Sequence, residues 1–406
     1  MGITLPHPIR DEPSGVCDVL IVGAGPAGSA TGLMLTRLLE TSAAMPRIVM
    51  VETSRFDSFR IGESLPPDSR VLLERLGVLP AFVAAGHQPC WGSCSSWGGD
   101  ELGFNDFAVN IHGHGWHLER ARFDALLAEQ AAERGVELHQ GWRLRAAEAL
   151  PEGGYRVDLR DNEQSECSLS ARWVVDASGQ AGSFAHEMGA RRLYDDRLIS
   201  IAGVFQLSGG TLIDQRTLLE AVPYGWWYCA RLNAHQAIVS ITTDSGTARQ
   251  RALASLGSWF SHLAQTRHLG QRLHSSTLTA DGLRPWAAPS FRLAPCAGAD
   301  WLAVGDSAIS YDPITAQGIH KALEMGIAAA QAIAQRRSGT SVDFRAYERS
   351  IADRHSAYMD LRRMLYAREQ RWPEQPFWKA RQQPPPSQPR RSVTPARIIR
   401  SNYRPG

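Results

Sequence analysis

At 406 residues, with 43% apolar and 21% charged residues and a formal net charge of +2, the chain has an ordinary globular composition. That length suits two lobes around a crevice better than one compact core, and near-neutrality excludes a whole-protein field that would argue for nucleic acid. Its longest apolar stretches, such as 326–334, are too short to cross a bilayer; six dispersed cysteines suit reduced thiols better than a disulfide framework. Residues 1–16 are polar and lack the apolar region of a secretory signal, and Pro6 stands where a myristoylation signal wants Ser or Thr. A cytoplasmic protein with no membrane partner is expected.

The predicted elements begin with Val19-Leu20-Ile21-Val22, a short apolar run that reads as a buried parallel strand. Gly23-Ala24-Gly25-Pro26-Ala27-Gly28 follows. Gly23 permits a tight turn, Gly25 lets the backbone approach a pyrophosphate, and Gly28 lets helix and strand pack closely. The helix from about Pro26 to Glu40 aims free N–H groups and its positive dipole end at phosphate. A second strand, Ile48-Val49-Met50-Val51, ends in Glu52, where an acid can accept hydrogen bonds from an adenosine ribose. A short helix is expected over 68–79, strands and loops over 85–115, and an amphipathic helix over 123–134. Strands follow near 137–138, 156–159 and 173–175, the last leading into Asp176-Ala177-Ser178-Gly179. Residues 190–290 alternate apolar and polar and predict an antiparallel sheet. The apolar strand Trp301-Leu302-Ala303-Val304 then precedes Gly305-Asp306-Ser307-Ala308, Asp312-Pro313 and Gly318-Ile319, which opens a helix over 318–334. A helical arm runs to about Tyr366, and after Arg381 the chain turns rich in Pro, Gln, Ser and Arg, which predicts an extended or disordered tail.

The predicted fold class is α/β: a Rossmann-like FAD-binding domain on a parallel sheet, an inserted antiparallel-sheet substrate domain and a C-terminal helical arm. The FAD-binding domain is assigned to residues 1–85, 117–189 and 291–335, and the substrate domain to 86–116 and 190–290. The arm takes 336–381 and the Pro/Arg-rich tail 382–406. The ordered series of Gly23–Gly28, Asp176–Gly179 and Gly305–Gly318 motifs describes one extended cofactor bound end to end, and FAD fits it. A strand-end aspartate can bond a sugar-chain hydroxyl, and the helix opening at Gly318 can stabilise negative charge on a reduced flavin.

These residues carry a resemblance. The chain resembles the flavoprotein monooxygenase superfamily, in the branch that holds flavin-dependent halogenases and geranylgeranyl reductases. The likeness covers residues 17 to about 335: the glycine fingerprint, Gly62-Glu63-Ser64, Arg120-x-x-Phe123-Asp124, Gly225-Trp226-Trp227-Tyr228 and Gly305-Asp306. It implies that Arg120 and Asp306 contact FAD. With the fingerprint, the expected FAD-binding set is Gly23, Gly25, Ala27, Gly28, Glu52, Arg120, Asp306, Gly318 and Ile319. Halogenases of this branch use an active-site lysine placed after the first helices, yet here no lysine precedes Lys321, and the Trp-x-Trp-x-Ile-Pro signature is absent. The segments 307–313, Arg371-Trp372-Pro373 and Phe377-Trp378 are similar to monooxygenases of cysteine tryptophylquinone biogenesis, which oxygenate a tryptophan of a partner protein.

The resemblance therefore implies aromatic hydroxylation through a C4a-hydroperoxyflavin, with O₂ as co-substrate and NAD(P)H or a reduced-flavin donor as electron source. The expected partner is a protein bearing the tryptophan to be modified. Two alternatives stand beside it: a hydroxylase or geranylgeranyl-reductase-like enzyme acting on a small molecule, and a non-catalytic dinucleotide-fold binding module. Such chemistry needs a dry pocket and proton movement. Trp91, Trp97, Trp116, Trp226 and Trp227 could wall the pocket or fill a core. Glu63, His114 and His117 are the acid/base candidates, with His112 beside them. Cys90 and Cys94 near these histidines lack the two-residue gap of a zinc site, so no metal is assigned. Arg390, Arg391, Arg397, Arg400 and Arg404 are either a solvated tail or a dock for an acidic partner.

Overall fold

The computed structural model describes residues 12–40, 45–208, 213–273, 276–279, 281–339 and 344–382. Residues up to 11 and from 383 onward, including the five tail arginines, lie outside the described residues. The chain divides into two compact units. One holds residues 1–87, 116–197 and 288–357; the other holds 88–115, 198–287 and 358–406.

The first unit is built on a mixed sheet. Strands Glu137–Gln140, Ile48–Glu52, Gly15–Val22, Glu166–Asp176 and Trp301–Ala303 lie parallel, in that spatial order. Strands Tyr155–Asp161 and Trp142–Ala149 extend the sheet antiparallel from the lower half of Glu166–Asp176. Val19, Leu20, Ile21 and Val22 are buried, as are all five residues of Ile48–Glu52, because helices cover the parallel strands. The helices Pro26–Leu39 and Gly318–Arg337 pack against each other through a close backbone approach. A Cβ on Gly326 would stand 2.4 Å from the Ala27 carbonyl oxygen and 2.8 Å from the Ala30 Cβ. The helix expected over 123–134 starts earlier, at Arg120, and ends at Ala132. The short helix expected over 68–79 is two, Ser69–Arg75 and Leu79–Ala84, divided where Gly77 adopts φ +71°.

The second unit carries an antiparallel-rich sheet. Residues 198–206 pair with strand Gln236–Asp244, which pairs with Gly225–Arg231, then Thr217–Val222; strands Gly92–Ser96 and Gly103–Asp106 follow. The stretch 245–273, expected to continue this sheet, is helical: Ser245–Gln250, Leu256–Ala264 and Leu269–Leu273. Helical spacing explains the difference, since Trp259 and Leu263 lie four residues apart on one face and both are buried. Trp259 stacks on Phe205 with centroids 5.8 Å apart and meets Trp227 edge-on at 4.8 Å. All six cysteines are free and buried, and burial pushes the Cys17, Cys167 and Cys296 thiols up to about 12, so they stay neutral.

Candidate dinucleotide site

Register brings the three sequence motifs of the first unit together. Val22 pairs with Val51 and with Asp176, and Asp176 pairs with Ala303. Four parallel strands therefore end level, and the turns that follow them share one edge of the sheet. Ligands of open α/β sheets bind at this carboxyl edge. Backbone bonds tie the turns across strands: Gly23 N–H donates to Val51 O at 2.8 Å, Ala177 N–H to Val22 O at 2.8 Å, and Val304 N–H to Asp176 O at 2.9 Å.

The glycines of the fingerprint differ in what they do. Gly23 has φ +106°, and a Cβ there would lie 2.4 Å from the Ala177 carbonyl oxygen; one on Gly28 would lie 1.9 Å from the Gly23 carbonyl oxygen. Both are demanded by the fold itself. Gly25 has an ordinary φ of −70° and nothing within 4 Å of where a Cβ would stand. It also caps the helix Pro26–Leu39, with no side chain bonding the first-turn N–H groups. Open space over an uncapped helix start is what a phosphate requires. The start of Gly318–Arg337 is similar: Gln317 makes no side-chain cap and Gly318 has open space around its Cα. The open starts at Gly25 and Gly318 fit a dinucleotide, and Ala27 and Ile319 are buried in the first turns of the same two helices.

The carboxylates are less free than the sequence suggests. Glu52 accepts from Ala24 N–H at 2.8 Å, from Ser54 N–H at 2.9 Å and Ser54 Oγ at 2.8 Å, and from Arg60 at 3.3 Å. It fixes the fingerprint turn. Asp176 is fully buried and turned into the protein, accepting from Ser178 N–H and Oγ, Ser307 Oγ and Ala185 N–H between 2.6 and 3.1 Å. It staples the second motif to the third rather than facing a sugar chain. Asp306 is the open one: its side chain is 38% exposed, and Oδ1 accepts from Lys321 Nζ at 2.6 Å.

Arg120 begins its helix and forks onto Asp124, one turn on, with Nε to Oδ1 at 3.1 Å and Nη2 to Oδ2 at 3.0 Å. Its Nη1 reaches the Ile61 carbonyl at 2.9 Å and the Gly62 carbonyl at 3.3 Å, so it also secures the Gly62-Glu63-Ser64 turn. Glu63 is buried, and its Oε2 accepts from Gly62 N–H at 2.8 Å. His117 is fully buried, directly across a strand pair from Ser64. Glu63 and His117 thus share one local structure. Arg60, Asp124 and Lys321 were missed from sequence; only the Arg120/Asp124 pair carried a signal, its four-residue helical spacing.

The remaining candidates lie in the second unit. His114 is partly buried, hydrogen-bonded through Nδ1 to Gly115 O at 2.7 Å and packed on Trp91 at 4.9 Å; the backbone N–H of His112 donates to Asn110 Oδ1 at 2.8 Å. Trp226 and Trp227 fill the core, Trp226 donating to Tyr366 Oη at 3.2 Å, while Trp91 is 47% exposed. Trp116, in the first unit, is also core, edge-on to Phe82. The Arg371-Trp372-Pro373 and Phe377-Trp378 segments act as fasteners. Arg371 pairs with the buried Glu369 at 2.6 Å and with Asp100 at 3.0 Å, and Trp378 Nε1 donates to Val222 O at 2.9 Å. Among the described residues no group of three His, Cys, Asp or Glu could hold a metal ion, and no helix is long and apolar enough to cross a membrane.

A family model described as tryptophan halogenase matches residues 18–101 and 105–397. The "Putative FAD-dependent oxidoreductase LodB" of Marinomonas mediterranea is 27% identical over 371 residues, 90% of this chain and 96% of that protein. Among solved structures, the myxobacterial chondrochloren halogenase CndH gives a TM-score of 0.81 at 23% identity, over 92% of this chain and 87% of that one. The peptidyl tryptophan dihydroxylase QhpG, essential for tryptophylquinone cofactor biogenesis, gives 0.66 at 24% identity, over 92% of this chain and 80% of that one. These two likenesses show the fold: a Rossmann-like FAD-binding domain with an inserted sheet and C-terminal helices.

Proposed function

The chain belongs to the tryptophan halogenase family of FAD-dependent oxidoreductases, and from that premise we propose that it hydroxylates a tryptophan side chain of a partner protein, in the formation of a tryptophylquinone cofactor. One observation carries the choice of hydroxylation over halogenation. The chain has two lysines, and neither follows the first helices, where the halogenases of this branch place theirs. Lys321 is buried among Asp306, the Ile309 carbonyl and the Tyr311 ring; Lys379 is a surface residue paired with Glu374 at 3.0 Å. The active-site lysine of the halogenases in this branch therefore has no counterpart. The fold shared with QhpG supports a peptidyl substrate.

Reduced FAD with O₂ supplies an electrophilic oxygen for an electron-rich ring, the electrons coming from NAD(P)H or a reduced-flavin donor. The chain's own residues would do the rest. The uncapped helix starts at Gly25 and Gly318 hold negative charge. Asp306 and Arg120 hold the flavin end of the cofactor, Arg120 by fixing the 61–64 turn. Glu63, buried in the turn before Ser64, and His117, buried across the strand pair from Ser64, are the groups proposed to move protons. Imidazole and carboxyl groups are common general acids and bases in enzymes.

The test is mass spectrometry of candidate partner polypeptides after coexpression with this chain, in medium containing chloride and bromide. One or two oxygen atoms added to a tryptophan support the reading. Halogen incorporation, or oxygen transfer only to free small aromatics, overturns it.

A further inference from the structure

We propose that Lys321 is a positioning residue for the cofactor, acting through Asp306: it fixes the Asp306 carboxylate and balances its charge so that the outer oxygen is presented to the flavin's sugar chain. This rests on the FAD-site reading above and deepens it. The side chain of Lys321 is only 3% exposed, whereas that of Asp306 is 38% exposed. A buried ammonium is costly unless its protons are matched. Here the matching is complete in three directions: Asp306 Oδ1 at 2.6 Å, the carbonyl oxygen of Ile309, and the face of the Tyr311 ring at 4.4 Å. Burial pushes the Tyr311 phenol up to about 12, so that wall of the site remains neutral.

The pair also joins two elements. Asp306 lies in the turn Gly305–Ser307, at the end of the parallel strand Trp301–Ala303. Lys321 lies one turn inside the helix Gly318–Arg337, its N–H bonded to Gln317 O at 2.9 Å. One side chain thus sets the strand-end carboxylate relative to the helix start, the two features required at the flavin half of the cofactor. An ammonium suits this place because it is compact and directs three donors separately, where a guanidinium is a planar fork. The choice stands out in a chain whose other basic residues, Lys379 aside, are all arginine.

The experiment measures FAD affinity of the full-length apoprotein by quenching of flavin fluorescence, in wild type, Lys321→Met, Asp306→Asn, the double variant and Lys321→Arg, with apoprotein melting temperatures alongside. Each single substitution should weaken FAD binding roughly ten- to a hundredfold, the loss of one charge-assisted hydrogen bond. The double variant should be no weaker than Asp306→Asn alone, and Lys321→Arg should recover part of the affinity that Lys321→Met loses. A lysine that merely supports the fold would instead lower the melting temperature in both backgrounds, with additive effects on affinity; that result overturns the proposal. So does unchanged affinity in Lys321→Met while Asp306→Asn is impaired. Failure of the underlying reading looks different: wild type would bind no FAD, or Asp306→Asn would bind it as wild type does.

Discussion

At the scale of single residues, His87 shows how burial turns a common side chain into a pH-dependent term. It is 8% exposed, lies between Phe82 and Phe123 with centroids 5.1 and 6.0 Å away, and its Nε2 has no hydrogen-bond partner. Desolvation first, and then the charge of Arg122, holds its pKa down to about 4 from 6.5, against a smaller opposing pull from Glu119. The sign follows from proton counting. Between pH 6.5 and 4 the unfolded chain binds a proton at this site and the folded chain does not, so stability is fully present above 6.5 and falls as the pH drops toward 4. The loss amounts to on the order of 3 kcal/mol at most. His87→Phe, which keeps an aromatic between aromatics, should flatten this part of the profile in chemical denaturation at a series of pH values. Profiles of wild type and variant that stay parallel from pH 7 to 4 would show that the burial term is small. Nothing in the sequence marks this histidine, because its environment is assembled by residues 5 and 36 positions away.

At the scale of elements, the strand–turn–helix at the start of the chain separates what the fold needs from what a ligand needs. Gly28→Ala places a methyl 1.9 Å from a backbone carbonyl oxygen, so helix and strand must part. Its cost should reach several kcal/mol, as overpacking against rigid backbone does. Gly25→Ala meets only open space and should leave the melting temperature within a degree or two, while FAD retention falls because the methyl stands where phosphate would approach. Thermal melting and the flavin absorbance of the purified variants check both. Equal loss of stability in the two, or full flavin occupancy in Gly25→Ala, would remove the distinction. This unit was legible in sequence because its signals are local: an apolar strand, glycines at fixed offsets and a terminal acid. The helices between Ser245 and Leu273 were not, since aromatic-rich alternation before and after them set the expectation of sheet, and the Trp259–Leu263 spacing is short.

At the scale of the whole molecule, the order of the three motifs led to the expectation of one shared site, and strand register brings them to one sheet edge. Partners of the charged groups were not legible, because Glu52 with Ala24 and Arg60, Asp176 with Ser307, and Asp306 with Lys321 meet only through tertiary packing. The same limit applies to the tryptophans, whose side chains serve cores and fasteners as readily as a pocket. For a peptidyl substrate, recognition must reach beyond the reacting ring, and the region after residue 382 offers a means. It carries Arg390, Arg391, Arg397, Arg400 and Arg404 among prolines, with few residues able to form a core. Charges of one sign outside the active site speed encounter with an oppositely charged surface without shaping the chemistry. Deleting residues 383–406 should therefore leave FAD content and melting temperature nearly unchanged. Association with an acidic partner should slow, and the binding that remains should depend less on salt, because screened charges are what was removed. Stopped-flow association at several ionic strengths measures both effects. Equal rates and equal salt dependence in the full-length and shortened chains would assign substrate capture to the folded units alone.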